Sequence, residues 1–240
     1  MTRAVFVAAA VLVAATVGWL LSSAWAERGA EVPSERTSPA GARLPVLLVP
    51  GWLDTAQDLA DLRARLVSAG WPAERVRAVS FEEPAGSNRD HARELDDAAR
   101  ALLEATGADS LDIVAHSMGG LATRWYLSRG DPVPVRRVAF LATPHRGTMS
   151  AHLAWGPSRE EMIPGSSFLD SLNVGPPVPE GVEALTVRTP IDTHVLPGEN
   201  ATLPGVPDLE VCCPTHPGVL GDAEVFRAVL RFLESGEVGG

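Results

Sequence analysis

One segment constrains this chain more than any other: an apolar strand pattern runs directly into a serine and then into a helix pattern. Residues 111–120 read LDIVAHSMGG, with Ala115 two positions before Ser117 and Gly119 two positions after it. A turn this sharp needs small flanking residues, because the chain doubles back within a few ångströms and holds the serine hydroxyl above the helix N-terminus. The helix dipole and the first backbone N–H groups then face any negative charge that develops. Ser117 is therefore a predicted nucleophile.

A serine nucleophile requires a base, and the chain contains 6 histidines. In a strand–turn–helix arrangement of this kind the acid follows the serine along the chain, and the histidine follows the acid. His216 fits this order, because it lies in a loop between the last strand and the last helix, at the carboxyl edge of the predicted sheet. The other histidines are weaker candidates. His91 precedes the serine and His116 adjoins it. His145 directly follows the next strand, which is too early in the chain for the base, and His152 and His194 are typical of loop residues.

The acid of the predicted triad should follow the penultimate strand. Asp192 comes just after the strand predicted over 183–188 and precedes His216 in the chain. We expect Asp192 to hold the imidazole in the orientation that proton transfer needs. Asp208, which begins the last predicted strand, is the alternative.

Two backbone N–H groups are expected to form an oxyanion hole. One belongs to Met118, the residue after the nucleophile. The other should come from the loop after the first core strand, where Pro50, Gly51 and Trp52 lie. Because Gly51 allows this loop to approach the site closely, the N–H of Trp52 is the expected second donor. The indole of Trp52 is also suited to act as a hydrophobic plug.

Strands and helices alternate along most of the chain. Short apolar runs predict strands over 44–49, 75–81, 110–115, 135–142, 183–188 and 208–211. Amphipathic patterns predict helices over 55–69, 88–106, 118–129 and 222–234. This alternation predicts an α/β fold with a mostly parallel central sheet that helices cover on both faces.

The alternation breaks in the proline-rich stretch 144–181, where one short helix is predicted over 166–172. A stretch of this length is too long for a passive connection in a compact domain, so we expect a binding loop or a short cap over the site. A solvated insertion without a role in binding is the alternative.

The first 26 residues have the pattern of an export signal. Arg3 is followed by an apolar run over 4–21 and then by Ala-Trp-Ala at 24–26, a small-x-small pattern typical of signal-peptidase sites. We therefore expect a secreted protein with 1–26 removed; an uncleaved membrane anchor is the alternative, because the apolar run is nearly long enough to span a bilayer. Residues 27–43 are expected to be a flexible lead-in, and 44–240 the catalytic domain.

Composition limits the partners that this chain can have. The 20 basic and 30 acidic residues give a net charge of −10, the wrong sign for neutralising phosphates, so no nucleic acid partner is expected. No His, Cys and carboxylate cluster has zinc-site spacing, and we expect neither a metal nor a cofactor. The adjacent Cys212 and Cys213 are expected to be either two buried thiols or a vicinal disulfide.

Together these features resemble the α/β-hydrolase superfamily, and within it the small secreted bacterial lipases whose nucleophile pentapeptide is Ala-His-Ser-x-Gly. The resemblance covers nearly all of 44–235, and rests on VAHSMGG at 114–120, on DTHVLP at 192–197 and on His216 ahead of the last helix. Many relatives have His-Gly where this chain has Pro50 and Gly51. The site residues that the resemblance implies are Ser117, Asp192 and His216 as a triad, with Trp52 and Met118 as oxyanion donors.

The function that the resemblance implies is that of a secreted serine carboxylester hydrolase, a lipase or esterase that forms an acyl-enzyme intermediate. Its substrate would be a small-molecule or lipid ester, and transient contact with a lipid interface remains open. An acyltransferase or an amidase would use the same triad, because pocket shape and water exclusion select the acceptor. A non-catalytic binding protein on a hydrolase scaffold is the other alternative.

Overall fold

Parallel strands form the centre of the fold in a computed structural model that describes residues 43–129 and 131–238. The described strands make one six-stranded sheet in the order β2-β1-β3-β4-β5-β6. Their bounds are β1 (Val46–Val49), β2 (Val76–Ala78), β3 (Leu111–His116), β4 (Val135–Leu141), β5 (Glu183–Arg188) and β6 (Asp208–Glu210). The predicted export signal, and the predicted lead-in apart from its last residue, lie outside the described residues. Within the described ranges, no helix combines the length and the apolar character needed to cross a bilayer.

The position of β1 in the sheet creates a crevice. All four residues of β1 are buried, which is typical of a parallel strand covered by helices on both faces. β1 pairs with β2 on one side and with β3 on the other. The chain therefore leaves β1 toward one edge of the sheet to form β2, and then crosses back to form β3 on the opposite side of β1. In open parallel sheets such a reversal leaves a crevice at the carboxyl ends of the two diverging connections, and ligands bind there. The loops that follow β1 and β3 therefore meet at the expected position of a site.

The helices in the described ranges connect the strands and cover the sheet. They are α1 (Ala60–Ser68), α2 (Asn88–Thr106), α3 (Met118–Arg129), α4 (Pro157–Met162), α5 (Ser167–Leu172) and α6 (Ala223–Ser235). Neighbouring residues of a strand point to opposite faces of the sheet. Leu48 accordingly packs in one apolar cluster with α1 and α6, whereas Leu47 packs in another with α2 and α3. The predicted α/β fold with helices on both faces is confirmed.

Most predicted elements are present, and the differences have local causes. The helix predicted over 55–69 begins only at Ala60, because Asp58 accepts hydrogen bonds from the backbone N–H and the hydroxyl of Thr55 and closes a separate turn. The strand predicted over 75–81 is limited to β2. The prediction missed α4, whose six residues are too few to show an apolar period; its start is marked by Pro157 after Gly156 at φ 82°.

The stretch 144–181, here called the cover segment, packs on the end of the sheet next to the crevice. It contains a 3₁₀ helix at Met149–Leu153 followed by α4 and α5. Buried side chains of the cover segment form a third apolar cluster with Met118 and Leu121 of α3. The predicted short helix at 166–172 is confirmed as α5, with Ser166 as its N-cap.

Cys212 and Cys213 form a vicinal disulfide just after β6. This was one of the two expected states. The expectation that the two residues are buried thiols is wrong, because both residues are exposed.

Candidate active site

Ser117 stands at a sharp turn between β3 and α3. Its φ of 51° lies in the left-handed region, which is strained for a serine and persists only where the surroundings fix it. The surroundings are tight: a Cβ at Gly119 would lie 2.2 Å from the carbonyl oxygen of Pro50, and a Cβ at Gly120 would lie 2.1 Å from the hydroxyl of Thr143. Both positions therefore require glycine, and the turn presents the serine at the carboxyl edge of the sheet.

The structure brings the three predicted triad residues into one hydrogen-bonded chain. His216 Nε2 lies 2.8 Å from Ser117 Oγ, and His216 Nδ1 lies 2.8 Å from Asp192 Oδ2. Because a carboxylate only accepts hydrogen bonds, Nδ1 carries the proton and Nε2 is left to accept from the serine hydroxyl. This arrangement can remove a proton from Ser117.

The loops that carry the acid and the base are fixed to each other. Asp192 Oδ1 accepts hydrogen bonds from the backbone N–H groups of His194 (2.7 Å) and Val195 (2.9 Å). The hydroxyl of Thr189, just after β5, donates to the carbonyl oxygen of Pro214 at 2.8 Å. The Asp192 carboxylate is therefore held with its other oxygen toward His216.

The electrostatics of the site favour an ionised acid and a neutral base. Burial by itself would raise the pKa of Asp192, but the hydrogen bond and charge of His216, with the two backbone N–H donors, hold this pKa below its ordinary value. Burial lowers the pKa of His216 below its ordinary value, and the neighbouring His116 and His194 act in the same direction, whereas the hydrogen bond to Asp192 acts against it. A neutral imidazole is the form that can act as a general base.

Two backbone N–H groups beside Ser117 have no hydrogen-bond acceptor among the described residues. They belong to Trp52, in the loop after β1, and to Met118, at the start of α3. The neighbouring N–H groups in the β1 loop are occupied: that of Gly51 donates to Asp54 Oδ2 at 3.2 Å and that of Leu53 to the carbonyl oxygen of Pro84 at 3.4 Å. The two unoccupied groups are the predicted oxyanion donors.

A pocket of about 450 Å³ opens above this chain of residues. Ser117 and His216 line it, and the remaining walls are mainly apolar side chains from the cover segment and the β1 loop. The apolar wall residues include Leu53, Ala151, Leu153, Met162 and Val195. Pockets of this size and character accommodate small organic ligands.

The family assignment rests on sequence as well as shape. The sequence profile of the alpha/beta hydrolase fold matches residues 45–166, a range that contains β1, β3, β4 and the turn at Ser117. The chain belongs to the α/β hydrolase fold family. The sheet topology and the position of the serine turn are those that this fold requires.

Solved structures share the fold of this α/β hydrolase at low sequence identity. Aspergillus fumigatus lipase B superposes with a TM-score of 0.72 and 18% identity, over 88% of this chain and 59% of that chain. Bacillus licheniformis lipase BlEst2 in its mature form gives 0.71 and 17%, over 81% of this chain and 94% of that chain.

Two curated relatives are nearer in sequence over a shorter stretch. Triacylglycerol lipases from Pseudarthrobacter phenanthrenivorans and Burkholderia plantarii are each 31% identical to this α/β hydrolase over 115 residues, or 45% of the chain. These matches span only 35% and 32% of the relatives' own lengths.

Two of the weaker candidates from the sequence lie outside the pocket. Asp208, the alternative acid, accepts hydrogen bonds from Thr186 and Arg188 on the sheet edge and is occupied there. His145 is buried, and desolvation together with the charges of Arg124 and Arg146 holds its pKa well below its ordinary value. Neither residue lines the pocket.

Three residues that sequence reasoning did not assign to the site do line the pocket. His194 stacks on the ring of His216, with centroids 4.6 Å apart and planes 18° apart. His116 and Asp54 form a second histidine–carboxylate contact next to the triad. The sequence signals were present but weak: His116 adjoins the nucleophile, and His194 lies two residues after the predicted acid.

Among the described residues, Asp192, His194 and His216 also place ligand atoms that could bind a metal ion within 4.8 Å of one another. Both oxygens of Asp192 already accept hydrogen bonds, and one comes from His216 Nδ1. Because Asp192 and His216 are already hydrogen-bonded to each other and to Ser117, their arrangement fits proton transfer better than metal coordination.

Proposed function

We propose that this α/β hydrolase is a serine carboxylester hydrolase of the lipase or esterase type. The observation that carries the proposal is the continuous chain from Ser117 Oγ to His216 and on to Asp192, with 2.8 Å at each contact. It lies at the wall of an apolar pocket and beside two unoccupied N–H donors. A base in reach of a nucleophile, itself oriented by a third group, is the arrangement that acyl transfer requires.

In the proposed reaction Ser117 Oγ attacks the ester carbonyl carbon while His216 Nε2 takes the hydroxyl proton. The carbonyl oxygen becomes an oxyanion, and the N–H groups of Trp52 and Met118 donate to it. His216 then gives its proton to the departing alcohol, which leaves an acyl-enzyme. A water molecule, deprotonated by His216, attacks the acyl carbon; the bond from this carbon to Ser117 Oγ then breaks, His216 returns the proton to Ser117 Oγ, and the carboxylic acid leaves. Asp192 stabilises the imidazolium form at each transfer.

The proposed substrate is an ester with an apolar acyl group. The apolar walls of the pocket support this choice, and so do the names of the two curated relatives, which are triacylglycerol lipases. Contact with a lipid interface is part of the proposal, because the large apolar side chains of Leu153 and Trp155 near the pocket are exposed to solvent.

Secretion is proposed on the sequence pattern of residues 1–26 alone. The first residue of the protein recovered from the culture medium tests it: a start at Glu27 supports removal of the signal.

The first test is hydrolysis of p-nitrophenyl esters from acetate to palmitate by the purified protein and its Ser117→Ala variant. We expect the variant to lose turnover and to keep its circular dichroism spectrum, because the hydroxyl makes no contact on which the fold depends. A fluorophosphonate should label Ser117 in the unmodified protein. Activity retained in Ser117→Ala would contradict the proposal, and labelling without ester hydrolysis would favour an acyltransferase or amidase.

The acid is tested with a matched pair of variants. Asp192→Asn should lower kcat by about 10⁴-fold, because the wrong imidazole tautomer then faces the serine. Asp208→Asn should stay near the unmodified rate, since that carboxylate pairs with Arg188 on the sheet edge. The reverse order of effects would reassign the acid.

A further inference from the structure

A second aspartate–histidine pair lies beside the triad. His116 Nδ1 is 3.1 Å from Asp54 Oδ2, and His116 Nε2 is 3.3 Å from the backbone carbonyl oxygen of His216. The His116 side chain is buried, and its ring centroid lies 5.0 Å from that of His216. The residue before the nucleophile therefore links the β1 loop to the backbone of the triad histidine.

Both contacts of His116 are made with acceptors. A carboxylate and a carbonyl oxygen only accept hydrogen bonds, so the His116 ring is the donor in this bridge between Asp54 and the backbone of His216. The hydrogen bond and charge of His116, with the Gly51 N–H, hold the pKa of Asp54 below its ordinary value, although burial by itself would raise it.

Asp54 also determines which N–H groups of the β1 loop are free. Its Oδ2 accepts the N–H of Gly51 at 3.2 Å, and its own N–H donates to the Gly51 carbonyl oxygen at 3.2 Å, so the turn from Gly51 to Asp54 is closed at both ends. Leu53 inside the turn has a φ of 64°, a left-handed conformation that a leucine keeps only when its surroundings impose it. Within the described part of the chain, the N–H of Trp52 in this turn has no acceptor.

We propose that Asp54 and His116 are positioning residues of the oxyanion hole: Asp54 fixes the turn that presents the Trp52 N–H, and His116 fixes Asp54 relative to the loop of His216. The hydroxyl of Ser117 is hydrogen-bonded to His216 and not to either residue of this pair. The pair holds the Trp52 N–H, which donates to the oxyanion, in a fixed position relative to His216, which accepts the serine proton. This inference rests on the proposed function, since the oxyanion arises only in acyl transfer.

The test uses Asp54→Asn and His116→Gln, which nearly keep side-chain volume and remove the carboxylate and the imidazole that form this contact. Because the oxyanion exists only in the transition state, each variant should lower kcat by about 10- to 100-fold with little change in KM. The affinity for a boronic acid analogue of the tetrahedral intermediate should fall by a similar factor. A purely structural role would lower the folded fraction, and with it the apparent kcat, but would leave the affinity of the folded protein for the boronic acid analogue unchanged.

The matched control is Asp58→Asn. Asp58 lies in the same connection after β1 and caps Thr55, but its carboxylate is exposed and does not line the pocket. This variant should keep the kcat and the analogue affinity of the unmodified protein. The double variant Asp54→Asn/His116→Gln should lose no more activity than the more affected single variant, because both changes break one linkage.

Fluorophosphonate labelling of Ser117 separates failure of this inference from failure of the proposed function. If the unmodified protein is neither labelled nor active on esters, the proposed function fails and this inference with it. If the unmodified protein is active and both single variants match it in kcat and analogue affinity, the inference alone is overturned. Additive losses in the double variant would also overturn it, because independent effects do not come from one linkage.

Discussion

His216 is surrounded by ionisable side chains. Asp192 accepts a hydrogen bond from its Nδ1–H, His194 stacks on its ring, and the ring of His116, which contacts Asp54, lies 5.0 Å away. Burial has the largest effect on the pKa of His216 and lowers it, and charges on the two neighbouring histidines lower it further. A lower pKa keeps the imidazole neutral further into the acid range. Activity should therefore persist below the pH at which an isolated histidine protonates.

The pH dependence of kcat/KM gives the first prediction at this scale. In His194→Ala the acid limb should move to higher pH, because the change removes a nearby charge and uncovers the ring of His216, and both effects raise the pKa of His216. His152→Ala is the control, since His152 is an exposed histidine of the cover segment outside the pocket. An acid limb that stays in place in His194→Ala would show that the stacked ring does not influence the base.

At the scale of elements, two buried charges attach the cover segment to the helices of the sheet. Glu161 of α4 accepts hydrogen bonds from Ser87 Oγ, from the backbone and side-chain nitrogens of Asn88 and from Arg89, all at the N-terminus of α2, where the helix dipole favours an anion. Arg124 of α3 donates to the C-terminal end of α5 and to the residues that follow, and burial lowers its pKa to about 10. These contacts connect α4 and α5 of the cover segment to the helices that cover the sheet.

The stability of this attachment is testable with two adjacent glutamates. Glu161→Ala should lower the free energy of unfolding by about 1–3 kcal/mol, because it leaves the N–H and O–H donors at the start of α2 without their partner, whereas the guanidinium of Arg89 is 40% exposed and is hydrated instead. Glu160→Ala, one residue earlier and exposed, should change it by less than about 0.5 kcal/mol. Urea denaturation measures both, and equal effects would contradict the assigned role of Glu161.

The same elements show what a sequence alone can predict. The strands, α2, α3 and the serine turn have strong local patterns, and the order of serine, acid and histidine along the chain was enough to select Ser117, Asp192 and His216. Contacts between distant segments have no such pattern. Asp54 and His116 are 62 residues apart, and Glu161 lies 73 residues from its Asn88 partner. Each is an ordinary polar residue in its own segment, and only the folded chain gives it a partner.

At the scale of the whole molecule, apolar side chains are exposed around the crevice although the chain carries a net charge of −10. Leu53 and Leu153 line the pocket and are 41% and 87% exposed, and Met149 and Trp155 nearby are 55% and 59% exposed. Exposed apolar groups that rim a pocket are typical of surfaces that bind a protein, a membrane or a ligand.

The last prediction follows from this surface. Leu153→Ser should reduce binding to emulsified long-chain triacylglycerol by about 10- to 150-fold, because burying a leucine contributes about 1.5–3 kcal/mol, whereas hydrolysis of dissolved p-nitrophenyl acetate should be nearly unchanged. Val174→Ser is the matched control: Val174 belongs to the cover segment and is 77% exposed, but it does not line the pocket. Sedimentation with the emulsion and rates on both substrates measure the difference. An equal effect of the two variants would show that general surface hydrophobicity, and not the rim of the pocket, governs adsorption.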